Sequence, residues 1–379
     1  MDYSSLLNNN VKSLKPSGIR KFFDIANDME NVLSLSIGEP DFTTPWHVRQ
    51  AGIDSLEKGK TYYSPNKGFL ELRKSIVNYF NRRFSVKYNY ENEVLVTVGG
   101  SEAIDLCVRT LISKGDEVLI PQPSFVCYEP ITIMAGGKPI IIETKESDNF
   151  KLTAKALEDN ITSNTKLLIL PYPSNPTGAV MRKKDLEEIA KVIRKHNLLV
   201  LSDEIYGELT YGNERHITFS SIEGMKERTI VVSGFSKTYA MTGWRLGFAL
   251  GPKDIIDSMT KLHQFSIMSS PTTSQYAAIE ALNNGDDDIE SMKSQYDLRR
   301  RFIVDGFRRM GLYCFEPEGT FYVFPCIKST GLTSDKFCEK LLMKEKVAII
   351  PGTAFGACGE GFVRVSYSYS INHIKEALK

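Results

Sequence analysis

Seven short apolar runs, each bounded by Gly, Pro, Ser or Asn, constrain this chain more than any other feature. They are Val94–Val98, Glu117–Ile120, Pro139–Glu143, Lys166–Leu170, Leu198–Ser202, Thr229–Ser233 and Arg245–Leu250. They are rich in Val, Ile and Leu and lack polar alternation, which is the pattern of strands buried on both faces of a parallel sheet. Between them apolar residues recur at helical spacing, as at Ile104, Cys107, Val108 and Leu111, and at Leu186, Ile189, Ala190 and Ile193. Alternating strands and helices predict an α/β domain with right-handed crossovers. Only eleven residues separate Ser233 from Arg245, too few for a helical crossover, so the last strand is expected to run antiparallel.

After about residue 283 the texture changes. Asn283-Asn284-Gly285-Asp286-Asp287-Asp288 reads as a surface turn, followed by a long charged helix through Leu298 to Met310. Short strands are expected around Phe321–Pro325, Val347–Ile350 and Phe362–Ser366. The expected division is a large α/β domain over 45–283 and a smaller α+β domain of 1–44 with 284–379.

Composition narrows the function. Lys plus Arg is 47 and Asp plus Glu is 46, so the net charge of +1 argues against a nucleic-acid coat. No apolar run approaches a membrane span, and the first residues lack a signal-peptide pattern. Six scattered cysteines without a C-x-x-C pair argue against a disulfide scaffold or zinc ribbon, and five histidines form no ligand spacing. No metal, no membrane and no nucleic acid are expected, and a reducing, cytoplasmic setting is.

Four places past strand ends can carry chemistry. At Val98-Gly99-Gly100-Ser101-Glu102 a strand passes straight into a helix, whose free N–H groups could hold a phosphate; the ordinary alternative is a helix cap. Asp203 follows an apolar strand, at the sheet edge where ligands bind in open α/β folds. A nucleotide-hydrolase reading of that acid fails, because Gly234-Phe235-Ser236-Lys237-Thr238 lacks the glycines of a P-loop. Lys237 also follows a buried strand and a tight turn, where desolvation can turn an amine into a nucleophile. Asn175, flanked by prolines in Pro171-Tyr-Pro-Ser-Asn-Pro-Thr-Gly178, is either a loop residue or a rigidly held amide.

Together with Leu35-Ser-Ile-Gly-Glu-Pro-Asp41, Tyr62-Tyr-Ser-Pro-Asn-Lys-Gly68 and Phe362-Val-Arg-Val-Ser366, these motifs in this order resemble the class I aminotransferases of the fold-type I pyridoxal phosphate enzymes. The resemblance spans nearly the whole chain. Ser17-Gly-Ile-Arg-Lys-Phe22 and Leu201-Ser-Asp-Glu-Ile-Tyr-Gly-Glu-Leu-Thr-Tyr211 look most like the branch that includes N-acetyl-LL-diaminopimelate aminotransferase of lysine biosynthesis. The resemblance implies a large, mostly parallel seven-stranded α/β/α domain with a smaller α+β domain, pyridoxal 5'-phosphate as cofactor, and a homodimer with shared active sites.

It also implies roles. Lys237 matches the lysine that carries the cofactor and moves the proton at the substrate Cα. Asp203 matches the carboxylate beside the pyridine nitrogen. Tyr206 and Asn175 match the donors to the ring's phenolic oxygen. Gly100, Ser101, Glu102 and Arg245 match the phosphate cradle, and Phe125 the aromatic stacked on the ring. Arg364 and Gly38, with Asn175, match the grip on the substrate carboxylate. Tyr63 matches a tyrosine that reaches the phosphate of the neighbouring subunit. Many relatives place a phosphate-binding serine where this chain has Gly234, so Ser236 is the expected substitute.

The reading is an aminotransferase using an L-amino acid and a 2-oxo acid such as 2-oxoglutarate. Lys261–Pro271 contains no arginine for a distal carboxylate, and the expected side-chain walls are Ser17–Phe22, Phe265–Ser270 and Phe321–Tyr322. A long polar or aromatic substrate is therefore expected, either N-acetyl-LL-diaminopimelate or the range of a broad aromatic aminotransferase. A C–S β-lyase using the same cofactor is a rival. A regulator's effector domain is another, but no basic helix-turn-helix precedes residue 40.

Overall fold

In the computed structural model, which describes residues 3, 5–16, 18, 29–212 and 214–379, seven strands build one sheet. The described residues hold twelve strands in all, which in chain order begin with β1 (Leu33–Ser34), β2 (Val94–Thr97), β3 (Glu117–Gln122), β4 (Lys138–Glu143), β5 (Thr165–Leu170) and β6 (Leu199–Asp203). They continue with β7 (Thr229–Gly234), β8 (Gly247–Leu250), β9 (Tyr322–Val323), β10 (Val347–Ala348), β11 (Ile350–Pro351) and β12 (Val363–Ser366). The large sheet has the order β2-β8-β7-β6-β5-β3-β4. All its pairings are parallel except those of β8, which runs antiparallel to both β2 and β7. The short Ser233–Arg245 link forces that reversal, as expected.

Successive residues of a strand face opposite sides, so each central strand feeds two layers. Leu168 and Val200 enter one apolar cluster, with Leu186, Ile189, Ala190 and Ile193 of the helix Lys183–Lys195. Leu167, Leu201, Ile230 and Val232 enter the other, with Ala103, Ile104, Cys107 and Val108 of the helix Gly99–Leu111. Two covered faces explain why the runs read as continuous hydrophobic stretches.

The stretch 283–288 is not a turn. Helix Thr272–Asn284 and helix Asp286–Arg309 meet at Gly285 alone. Asp286, Asp287 and Asp288 occupy the first turn of the second helix, where carboxylates favour the positive end of the dipole. Beyond it, β11, β12 and β9 form a small antiparallel sheet, while β1 pairs in parallel with β10. The expected strand Val347–Ile350 is thus split, its first half pairing with the N-terminal segment and its end with β12.

Candidate active site

The parallel strands β3, β5, β6 and β7, together with β2, deliver their C-terminal ends to one edge of the sheet, and a cavity of about 360 Å³ opens there. Asp203 ends β6 and is 7% exposed. Its Oδ2 accepts a hydrogen bond from the Tyr128 hydroxyl at 2.7 Å, and its Oδ1 accepts one from the Ile205 N–H at 3.2 Å. Burial pushes the Asp203 carboxyl up, and these two donors pull against it by stabilising the charge.

β7 ends at Gly234, and a single helical turn, Phe235–Thr238, carries Lys237 into the cavity. Its Nζ donates to the Gly38 carbonyl at 2.6 Å. Burial pulls the amine down to about 8; the Arg364 and Arg245 charges act in the same direction, and Glu39 opposes them. A lysine so placed is a nucleophile near neutral pH.

β12 supplies Arg364, 3% exposed. Nη1 donates to Asn175 Oδ1 at 3.1 Å and Nη2 to the Ser36 carbonyl at 2.6 Å, while Nε has no partner among the described residues. Burial lowers the pKa of this guanidinium, yet arginine stays charged at neutral pH. An ion left uncompensated indoors costs several kcal/mol, so the group is built to receive an anion. Tyr206 lies at the same wall, its hydroxyl 2.9 Å from that of Tyr322, and burial pushes both phenols up.

At the other end the helix Gly99–Leu111 points its N-terminus at the cavity. Gly99 has φ +76°, and a Cβ there would stand 2.9 Å from Arg245 Nη2. The glycine thus lets the guanidinium reach the free N–H groups, a cradle for a phosphate. Arg245 Nη1 is tethered to the Thr242 carbonyl at 3.0 Å. Gly234 explains the missing serine: a Cβ there would meet Gly247 Cα of β8 at 2.9 Å, so the position cannot hold a side chain, and Ser236 lines the cavity instead.

The cavity brings together Gly38, Gly100, Ser101, Phe125, Asn175, Asp203, Tyr206, Ser236, Lys237, Arg245 and Arg364. Two of the expected residues are not among its lining. The Glu102 carboxylate is taken up by the buried His263 ring at 2.7 Å and by the Val98 N–H, so its side chain serves the helix entry. Tyr63 is 81% exposed and does not line the cavity of its own chain. Of the expected walls, Phe265–Ser270 also lies outside the lining, as do Gly18 and the fully buried Phe321, leaving Tyr322, while Ser17, Ile19, Arg20, Lys21 and Phe22 lie outside the described residues. Sequence reasoning missed Tyr128, Ile37, Thr242 and Ile350, which the fold brings in from four separate segments.

These groups fit pyridoxal phosphate: a cationic cradle for its phosphate, a depressed amine for its aldehyde, and a buried carboxylate for its ring nitrogen. The model of the class I and II aminotransferases matches residues 30–379, and the chain belongs to that family. It is a pyridoxal phosphate-dependent aminotransferase. An aspartate aminotransferase of Pyrococcus abyssi is 45% identical to it, over 96% of this chain and 94% of its own. A Bacillus subtilis protein named a probable N-acetyl-LL-diaminopimelate aminotransferase is 44% identical, over 98% and 94%. The crystal structure of an aromatic aminotransferase from Pyrococcus horikoshii superposes with a TM-score of 0.90 at 43% identity, covering 95% of this chain and 96% of that one.

Proposed function

We propose that this chain moves the amino group of an L-amino acid with a long or aromatic side chain to 2-oxoglutarate, with N-acetyl-LL-diaminopimelate of lysine biosynthesis as the leading substrate. The observation that carries the aminotransferase chemistry is the convergence of Lys237, Asp203 and Arg364 in one cavity.

Pyridoxal phosphate, when bound, supplies the aldehyde that takes the amino group and a ring that accepts the electrons left as Cα loses its proton. The chain's residues do the rest. Arg364, Asn175 and the Gly38 backbone bind and orient the substrate carboxylate, which fixes Cα beside Lys237. The Lys237 amine would take the proton from Cα and return it to the cofactor's former aldehyde carbon, across the substrate nitrogen. Asp203, whose charged form the Tyr128 hydroxyl stabilises, would hold a proton on the ring nitrogen. Tyr206 and Asn175 donate to the phenolic oxygen, and Phe125 stacks on the ring. Arg245, Ser101, Ser236 and the N–H groups at Gly100 and Glu102 hold the phosphate.

The substrate class rests on the remaining walls. Among the described residues the charged side chains that line the cavity are Asp203, Lys237, Arg245 and Arg364, and each already has a task. Most of the remaining described lining is apolar, Ile37, Pro173, Ile350 and Tyr322 among it, which favours an apolar or aromatic stem over a short dicarboxylate. The same walls support the second reading, an aromatic amino acid aminotransferase of broad range. The test is kcat/KM for N-acetyl-LL-diaminopimelate, tyrosine, phenylalanine and aspartate with 2-oxoglutarate. One of the first three should lead, and aspartate ahead by more than about tenfold, or ~1.4 kcal/mol of transition-state binding, contradicts the assignment.

In the same reading the large domain spans 45–283 and the smaller one takes 1–44 with 284–379. The protein is a homodimer in which Tyr63 serves the partner's phosphate. Six free cysteines suit a reducing, cytoplasmic setting.

A further inference from the structure

Tyr322 touches both halves of the site. It stands on β9, whose Tyr322 pairs with Ser366 of β12, the strand that carries Arg364. Its hydroxyl lies 2.9 Å from the Tyr206 hydroxyl, and the Arg364 guanidinium sits over its ring, 4.5 Å from the centroid. The hydroxyl also faces Gly38: a Cβ on that glycine would stand 2.3 Å from it. The ring is 1% exposed. Gly38 is therefore glycine because Tyr322 fills the space beside it.

We infer that Tyr322 is a positioning residue of the reaction, its hydroxyl donating to Tyr206 and its ring supporting Arg364, so that one side chain fixes the phenol that serves the cofactor and the guanidinium that grips the substrate. This rests on the proposed role of Tyr206. Either oxygen of the pair can be the donor. Donation from Tyr322 is the arrangement that leaves the Tyr206 proton free for the cofactor's phenolic oxygen. A donor that is itself accepting a hydrogen bond is polarised and donates more strongly. With the cofactor bound, Tyr322 would thereby help hold that oxygen as an anion, which would ease loss of the proton that the cofactor's visible absorbance reports.

The sign follows. Removing the Tyr322 hydroxyl must make that proton harder to lose and move the pH titration of the bound cofactor's visible absorbance upward. The test compares holoenzyme of the wild type, Tyr322→Phe, Tyr206→Phe and the double variant. Tyr206→Phe should raise the midpoint. Tyr322→Phe should raise it by about half a pH unit or more, the size of one neutral hydrogen bond. The double variant should match Tyr206→Phe alone, since the Tyr322 effect passes through that phenol. Tyr322→Phe keeps the ring against Arg364, so KM for the amino acid should stay within about twofold, whereas Tyr322→Ala should raise it about tenfold or more.

A midpoint that moves in Tyr206→Phe but not in Tyr322→Phe overturns the inference and leaves the role of Tyr206 intact. A midpoint unmoved in both overturns the role of Tyr206 and the inference with it. Additive shifts in the double variant also overturn it, because they place Tyr322 on a separate route.

Discussion

Burial acts on Lys237 and Asp203 in opposite senses, lowering the pKa of the amine and raising that of the carboxyl, because each charged form is poorly solvated in the cavity. The reactive amine is the unprotonated one. Covalent attachment of pyridoxal phosphate to the cofactor-free protein should therefore speed up about tenfold per pH unit below pH 8 and level off above it. Stopped-flow absorbance checks this, and a rise that continues to pH 10 would mean an ordinary lysine. Asp203→Asn should keep the cofactor bound but lower kcat by about 10²–10³, or ~3–4 kcal/mol of transition-state stabilisation, the scale of one removed electrostatic donor. Turnover within about tenfold of wild type contradicts the role. Lys237 and Asp203 were legible because one sits just past a strand end and the other closes a strand. Tyr128 was not, since nothing local marks a tyrosine in a helix's first turn as the donor to an aspartate 75 residues away.

Elements rather than residues decide where the phosphate can go. Strand β8 folds back antiparallel against β7 and brings Gly247 up to the entry of the helix Gly99–Leu111, while Arg245 just before β8 meets Gly99. Gly99→Ala should disturb this contact twice, through its positive φ and through a Cβ 2.9 Å from Arg245 Nη2. The expected outcome is a fold weakened by about 1–3 kcal/mol and a cofactor Kd raised about tenfold or more, read by thermal unfolding and fluorescence titration. An unchanged Kd would remove Gly99 from the cradle. The sheet strands were readable from their apolar runs, because burial on both faces leaves a local mark. The split of Val347–Ile350 between β10 and β11 left none, because its two partners, Leu33–Ser34 and Val363–Ser366, are chosen by tertiary packing. The acidic run at Asp286 misled for a related reason: Asp suits a turn and the first turn of a helix equally well.

At the scale of the whole molecule, Tyr62 and Tyr63 are each 81% exposed and Phe265 88%, a large apolar display for a free surface. Asn66 Nδ2 donates to the Met268 carbonyl at 2.7 Å and Thr272 Oγ1 to the Tyr62 carbonyl at 2.7 Å, which joins the segment 62–66 to the segment 268–272 that follows Phe265. That face is the expected seat of the two-fold partner, which would bring Tyr63 to the other chain's phosphate. Light scattering should give a dimer, and Tyr63→Phe should weaken cofactor binding; an active monomer contradicts both. The exposure of Tyr63 in a single chain is also why its role came from resemblance rather than from any local pattern. The most direct test of the whole account is isotopic. The holoenzyme is incubated with ¹⁵N-glutamate and the 2-oxo acid of its preferred substrate, beside Lys237→Ala. The account predicts one ¹⁵N-labelled amino acid formed for each 2-oxoglutarate, no free ammonia, and no transfer by the variant. Labelled ammonia released without an acceptor, or transfer undiminished in Lys237→Ala, would contradict it.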